Sequence, residues 1–291
     1  MIDLPVKTFS RCSQHPAGYY IAKSGVGITT QRHGATPVVG FAFGKDQLET
    51  EDRSRFEVYE RAFAHYDLYQ SQIGANADAP LPVLHWQTHQ KTGQIVPEKV
   101  LFAHPKQQDW IDANGLAWHQ NRESAIKSAF FELIERHMLS LIWYQRQKIV
   151  LLNTLNGYIN EEHYTSNNAV PFALVVLHSQ EQEFWLCGSS VAGTLDQAIQ
   201  KAQWEAYMLL DSILAQEDGS KNPSASGERL ATLKMASYKE HLAQQIISQE
   251  QPPTKLTKLA DILSHLHFFA NTHCLLSRRT ILGASWGIYS F

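Results

Sequence analysis

Apolar positions recur at helical steps in two long stretches. Ala125, Ala129, Leu133 and Ile134, continued by Met138 and Leu141, fall three and four residues apart, which predicts one amphipathic helix. The segment TLDQAIQKAQWEAYMLLDSIL predicts a second, with Thr194 as its N-cap and Asp196 in its first turn. An earlier stretch, DQLETEDRSRFEVYERAFAHYDLY, predicts a third. The runs PFALVVLHS and EFWLCGSSV are short, rich in β-branched and aromatic residues, and parted by polar QEQ, so they predict a β-hairpin. SQIGANADAPLP, QEDGSKNPSASGER and SQEQPPTK read as loops, the stretch near Asn222 as the most mobile. The final LSRRTILGASWGIYSF is apolar and aromatic, and reads as a last strand of the domain or as a surface docked on another protein.

The same plan occurs three times: an extended apolar run, a glycine loop, then a helix with a glutamate on an otherwise apolar face. The extended runs are TPVVGFAFGK, VLFAHPKQQDWIDANGLAW and FALVVLHSQEQEFWLCGSSVAG. The glutamates are Glu57, Glu132 and Glu205, spaced 75 and 73 residues apart. Loop glycines Gly44, Gly115 and Gly188 precede them by 13, 17 and 17 residues. A composite pattern at near-equal spacing predicts internal pseudo-repetition, in units longer than those of a solenoid. The expected architecture is one α/β domain over residues 1–291, built as α+β layers. Its repeats would cover about 24–75, 95–150 and 170–215, with antiparallel hairpins outside and acidic helices around a central cleft.

Composition narrows the function classes. The 291 residues are 44% hydrophobic and 18% charged, as in an ordinary globular protein with a sizeable core. A net charge of −3 gives no reason to expect nucleic acid or an anionic membrane as partner. Cys12, Cys187 and Cys274 are odd in number and contain no CxxC, which fits reduced thiols in the cytoplasm. The longest apolar stretch, FFELIERHMLSLIWY, carries three charges, so no membrane-spanning segment is expected.

Two of the helices share a polar signature, Glu57-Val-Tyr-Glu60-Arg61 and Glu132-Leu-Ile-Glu135-Arg136. Positions i, i+3 and i+4 lie on one helix face, so each ExxER groups two carboxylates with a guanidinium. Apolar residues bracket both clusters, which points them inward or into a cleft, where unpaired charges are costly. Two readings follow. Each cluster is either an internal ion pair that locks its helix, or part of a carboxylate and arginine cage for Mg2+ and a polyphosphate.

These strings carry a resemblance. SGVGITTQRHGATPVVGFAFGKD, FEVYERA, NGLAWHQNRESAIKSAFFELIERH and AIQKAQWEAY occur in order over roughly residues 24 to 210, and together they resemble the YcaO-domain family. The resemblance implies a single YcaO-like domain that binds ATP and Mg2+ through helix glutamates; the chain indeed contains no GxxxxGK[ST] and no GxGxxG. It implies Glu57, Glu60, Glu132, Glu135 and Glu205 as the metal and phosphate shell. Arg61 and Arg136 would be phosphate or carboxylate partners, and Lys45 a phosphate contact. It further implies ATP-dependent activation of backbone amides in a ribosomally made precursor peptide. The product would be an azoline by cyclodehydration, or alternatively a thioamide. A leader-binding partner protein, or a homo-oligomer, is expected in such a peptide-modifying complex. The chain departs from the family pattern at Arg53, where a serine is usual, at GKD in place of GKG, and in a short carboxyl end without the proline-rich extension. These departures leave open a non-catalytic YcaO-like scaffold that binds a partner or a peptide.

No residue stands out as a catalytic nucleophile. Cys187, beside Gly188, reads as a buried structural thiol. His85 and His89 lie in WQTHQKTGQ, a strand running into a turn, and so would not share a helix face. His265, His267, His273 and Cys274 read as hydrogen-bonded side chains more readily than as metal ligands. Trp118, next to the Gly115 loop, is a core residue or a wall for a peptide or adenine.

Overall fold

A computed structural model describes residues 9–14, 18–30, 34–65, 70, 74–84, 88, 90–99, 101, 115–119, 121–145, 147–179, 184–217, 242–247, 254–265, 276–280 and 283–287. His85, His89, His267, His273, Cys274, the region of Asn222 and the side chain of His265 lie outside the described residues. The elements in chain order are β1 (Phe9–Gln14), β2 (Tyr20–Thr30), β3 (Gly34–Gly44), α1 (Gln47–Phe63), β4 (Leu81–Leu84), β5 (Lys91–Ile95) and β6 (Leu116–His119). Then come α2 (Arg122–Gln145), β7 (Ile149–Leu155), β8 (Asn160–Ser166), β9 (Phe172–Ser179), β10 (Phe184–Val191) and α3 (Leu195–Glu217). Last are β11 (Ile246–Ile247), α4 (Leu259–His265), β12 (Leu276–Thr280) and β13 (Gly283–Gly287). The fold is mixed α/β. Its chain divides into two compact units, residues 1–130 with 270–291, and residues 131–269.

In the first unit β1, β2 and β3 form an antiparallel meander. Alternation along β2 and β3 sends Val26 and Val38 to one face, where Val58 and Ala62 of α1 cover them. Asp46 caps α1, its side chain accepting the Glu49 amide at 2.9 Å. Asp46 in the GKD loop therefore has a local structural role, where a glycine would leave that amide without its cap. Gly115 precedes β6 with φ of 77°, a left-handed conformation that glycine adopts without strain. The final segment supplies β12 and β13, and β13 pairs antiparallel with β6, so it is strand within this unit. β4 and β5 make a separate two-stranded ribbon.

The second unit holds a sheet in the order β10-β9-β8-β7-β11. The expected hairpin is present as β9 and β10, antiparallel with Phe184 opposite Ser179. Ala198, Ala202, Ala206 and Leu210 run down one side of α3 and pack on Ala173, Val175, Leu177, Phe184 and Leu186. Thr194 caps α3, its hydroxyl accepting the Gln197 amide at 3.3 Å. A polar anchor flanks this contact: the buried Glu161 of β8 accepts Gln203 Nε2 at 2.8 Å and Tyr207 Oη at 2.9 Å, and lies 2.5 Å from His163 Nε2. These bonds hold the Glu161 carboxyl below its usual range despite its burial. Among the described residues, no helix is long and apolar enough to cross a membrane.

Candidate functional site

In the first unit the predicted acid of α1 meets the free edge of β3. Val39, Phe41 and Phe43 alternate along this edge strand and turn their backbone groups away from β2. Side chains of α1 satisfy them in turn. Arg61 Nη1 donates to the Val39 carbonyl at 2.8 Å, the Phe41 amide donates to Glu57 Oε2 at 2.7 Å, and Arg53 Nη1 donates to the Phe43 carbonyl at 3.2 Å. Residues 53, 57 and 61 are one helical turn apart, so a single stripe of α1 takes the place of a neighbouring strand. Glu57 also pairs with Arg61 through Oε1, which is the internal ion pair anticipated for an ExxER motif. Burial still raises the Glu57 carboxyl above its ordinary value, against the pull of Arg61, the Phe41 amide and Arg53. The Arg53 guanidinium is likewise lowered by burial, offset by Glu49 and Glu57.

Helix α1 comes this close because β3 has a glycine beneath it. A Cβ on Gly40 would collide with the Ser54 carbonyl and lie 2.8 Å from the Val58 amide. The contact residue is thus Gly40, not the Gly44 singled out by the sequence pattern. Gly44 ends β3 and faces the Thr50 hydroxyl.

The second unit repeats this geometry and adds to it. A Cβ on Gly188 would collide with the Ala202 carbonyl and lie 2.5 Å from the Ala206 amide, while Ser189 N–H donates to Glu205 Oε2 at 2.8 Å. β10 is again the edge strand. Here the next side chain is a hydroxyl, and Ser189 Oγ donates to Glu135 Oε1 of α2 at 2.8 Å. One strand residue therefore ties together acids from two helices. Burial, the Glu205 charge and the nearby Glu132 push Glu135 up to about 8, against the opposing pull of Arg136 and Ser189. Arg136 Nη1 stands 3.7 Å from Glu135, but its side chain is 45% exposed, where water screens it.

Of the remaining predicted residues, Lys45 is exposed at the head of α1, and Glu60 is half-buried near the helix end. Trp118 is buried against Phe56 and Tyr59, with ring centroids 4.6 and 5.4 Å apart, which places it in the core. Burial and Glu205 push the Cys187 thiol up to about 12, so it is inert as a nucleophile at neutral pH. Two contributors had no signal in the sequence reading: Arg53, which figured only as a departure, and Ser189, which sits in an unremarkable GSS string.

Glu132, Glu135 and Glu205 offer hard oxygen donors, and their mutual repulsion is what a divalent cation relieves. Among the described residues no three His, Cys, Asp or Glu side chains already converge as a closed metal cluster. That fits Mg2+, which takes one or two carboxylates and completes its shell with water and phosphate oxygens.

A family model described as YcaO cyclodehydratase, ATP- and Mg2+-binding, matches residues 55–272. Among solved structures, the E. coli microcin synthetase McbBCD complex contains a chain 12% identical, with a TM-score of 0.70, the match covering 97% of this chain and 87% of that one. YcaO from Methanopyrus kandleri bound with AMPPCP and Mg2+ is 15% identical with a TM-score of 0.63, over 98% of this chain and 85% of its own. A heterocyclase in complex with substrate and cofactor is 14% identical with a TM-score of 0.69, over 97% of this chain and 49% of its own. At these identities the likeness is one of fold. No curated protein matches the chain at the same stringency.

Proposed function

Since the chain belongs to the YcaO family, which is ATP- and Mg2+-binding, we propose that it activates backbone amides of a ribosomally made precursor peptide and forms azolines. The observation that carries this reading is the pair Glu135 and Glu205, brought together on Ser189 and left with an excess of negative charge that raises Glu135 to about 8. A protein gains nothing in stability from such a pair, so a cation-binding role is the reason to keep it.

In this reading Glu135 and Glu205 face the metal, with Glu132 adding charge nearby and Glu60 assigned to the same shell. Glu57 orients Arg61, whose half-exposed guanidinium is offered to a phosphate oxygen, and Lys45 and Arg136 supply further positive charge. The bound nucleotide supplies the phosphoryl group that turns the amide oxygen into a leaving group, after a Cys, Ser or Thr side chain of the substrate has added to the carbonyl. The chain's own residues hold metal and phosphates in place and stabilise the charge that develops. Sulfide in place of that side chain would give the thioamide. The M. kandleri structure with AMPPCP and Mg2+ supports the cofactor assignment, and the McbBCD and substrate-bound heterocyclase structures support a peptide substrate and a partner chain. We place this activity in the cytoplasm, in agreement with the free thiols of Cys12 and Cys187.

Titration calorimetry with Mg2+ and a non-hydrolysable ATP analogue tests the reading. Mg2+-dependent binding is expected, and Glu135→Gln should lower ATP turnover at least about 100-fold with the fold intact. Absence of binding, both in the free chain and in its complex with a partner, would favour the scaffold reading, to which the commitment of Glu57 to Arg61 already lends some support.

A further inference from the structure

We infer that Ser189 is the positioning residue that sets the spacing of the Glu135 and Glu205 carboxylates for the cation, an inference that rests on the function proposed above. Its two polar groups are used in different directions. The amide points off the edge of β10 and holds Glu205 at 2.8 Å, while the hydroxyl holds Glu135 at 2.8 Å. Successive backbone and side-chain directions along a strand make this possible only at one residue, the one directly after the glycine on which α3 rests.

The first unit contains an internal control. Phe41 follows Gly40 as Ser189 follows Gly188, and its amide holds Glu57 in the same way. A phenylalanine has no hydroxyl to recruit a second acid, and Glu57 is satisfied by Arg61 instead. The shared part of the geometry, glycine and amide, therefore serves to seat the helix. The hydroxyl is the added part, and it is spent on joining two like charges that would otherwise move apart. Ser189 itself is buried, so water does not substitute for it freely.

The test uses a matched pair, Ser189→Thr and Ser189→Val, which have the same shape and differ in hydroxyl against methyl. Both keep the amide that holds Glu205, and both suit a strand. Mg2+-dependent binding of AMPPCP is measured by calorimetry on the full chain, alongside the thermal midpoint without metal. The threonine variant should bind within about twofold of the wild type, and the valine variant about tenfold more weakly, the loss expected for one hydrogen bond to a charged acceptor. Binding of AMPPCP without Mg2+ should be unchanged in both, which a general loosening of the strand would not give. Equal Mg2+-dependent affinity of the two variants overturns the role of Ser189 while leaving the proposed function standing. Failure of the wild type to bind Mg2+–AMPPCP at all overturns the function and this inference with it. Should the valine variant not fold, Ser189→Ala replaces it in the same comparison, and the same equality overturns the inference.

Discussion

Glu135 is the residue whose charge depends most on its neighbours, and this has a consequence for stability. In the unfolded chain its carboxyl titrates near the ordinary value of 4.5, whereas the folded, metal-free protein holds its proton up to about 8. The folded state therefore binds the extra proton between those limits. The stability this group contributes is complete below the lower value and is lost as pH rises through the upper one. Glu135→Gln removes that loss, because the amide accepts from Ser189 without gaining charge. Urea denaturation of the metal-free wild type and variant from about pH 5 to about pH 8 should show the variant gaining relative stability with pH. Parallel curves would mean that Glu135 is ionised throughout. The position of this acid was visible in the sequence, since two ExxER strings on apolar helices announce charges facing inward. Its raised proton affinity was not, because the charge responsible belongs to Glu205 on another helix. Ser189 was hidden for the same reason: its role depends on what approaches it, and a serine in GSS gives no local sign of that.

At the scale of the element, the recurring device is a strand edge closed by a helix. α1 and α3 each lie on a strand glycine and send a glutamate round the edge to a backbone amide. The sequence indicated the helices and the glutamates but assigned the first glycine wrongly. Gly44 drew attention because it begins the turn into α1, whereas the residue under the helix is Gly40. With Gly40 in place the interval from glycine to glutamate is 17 residues at Gly40–Glu57, Gly115–Glu132 and Gly188–Glu205 alike, which supports the repetition expected from the pattern. Neither Gly40 nor Gly188 has a left-handed backbone, so the requirement is for space. Gly40→Ala and Gly188→Ala should each cost about 1–3 kcal/mol, since the added methyl meets helix backbone that has to move. Gly44→Ala should cost less, because the Thr50 hydroxyl it meets is able to turn away. Chemical denaturation of the three variants checks the ranking, and a Gly44→Ala loss equal to the others would refute the assignment.

For the whole molecule, local pattern carried the expectation as far as local pairing reaches. The β9–β10 hairpin and the three long helices follow from periodicity and caps. The pairing of β13 with β6 does not, since it joins Ala284 to His119 across most of the chain and no spacing signal encodes such a contact. The closed edges bear on how a peptide is recognised. An extended leader that docks by strand addition needs unpaired amides and carbonyls. β3 spends the Val39 and Phe43 carbonyls and the Phe41 amide on α1, and β10 spends the Ser189 amide on α3. The two edges beside the acids are therefore occupied by the protein's own side chains, as natural sheets commonly protect their margins. Opening either would release Glu57 or Glu205 from its place in the proposed site. Leader recognition at these edges would thus work against the chemistry, which favours a separate leader-binding partner, or a second copy of the chain, as the recognition surface. The purified chain is accordingly expected to bind Mg2+–nucleotide on its own but to modify precursor peptide slowly, and to accelerate at least about tenfold when the partner raises the local substrate concentration. Mass spectrometry of peptide products, with and without partner and with the oligomeric state measured in parallel, decides the matter. Full activity from a monomeric chain alone would show that recognition resides within it.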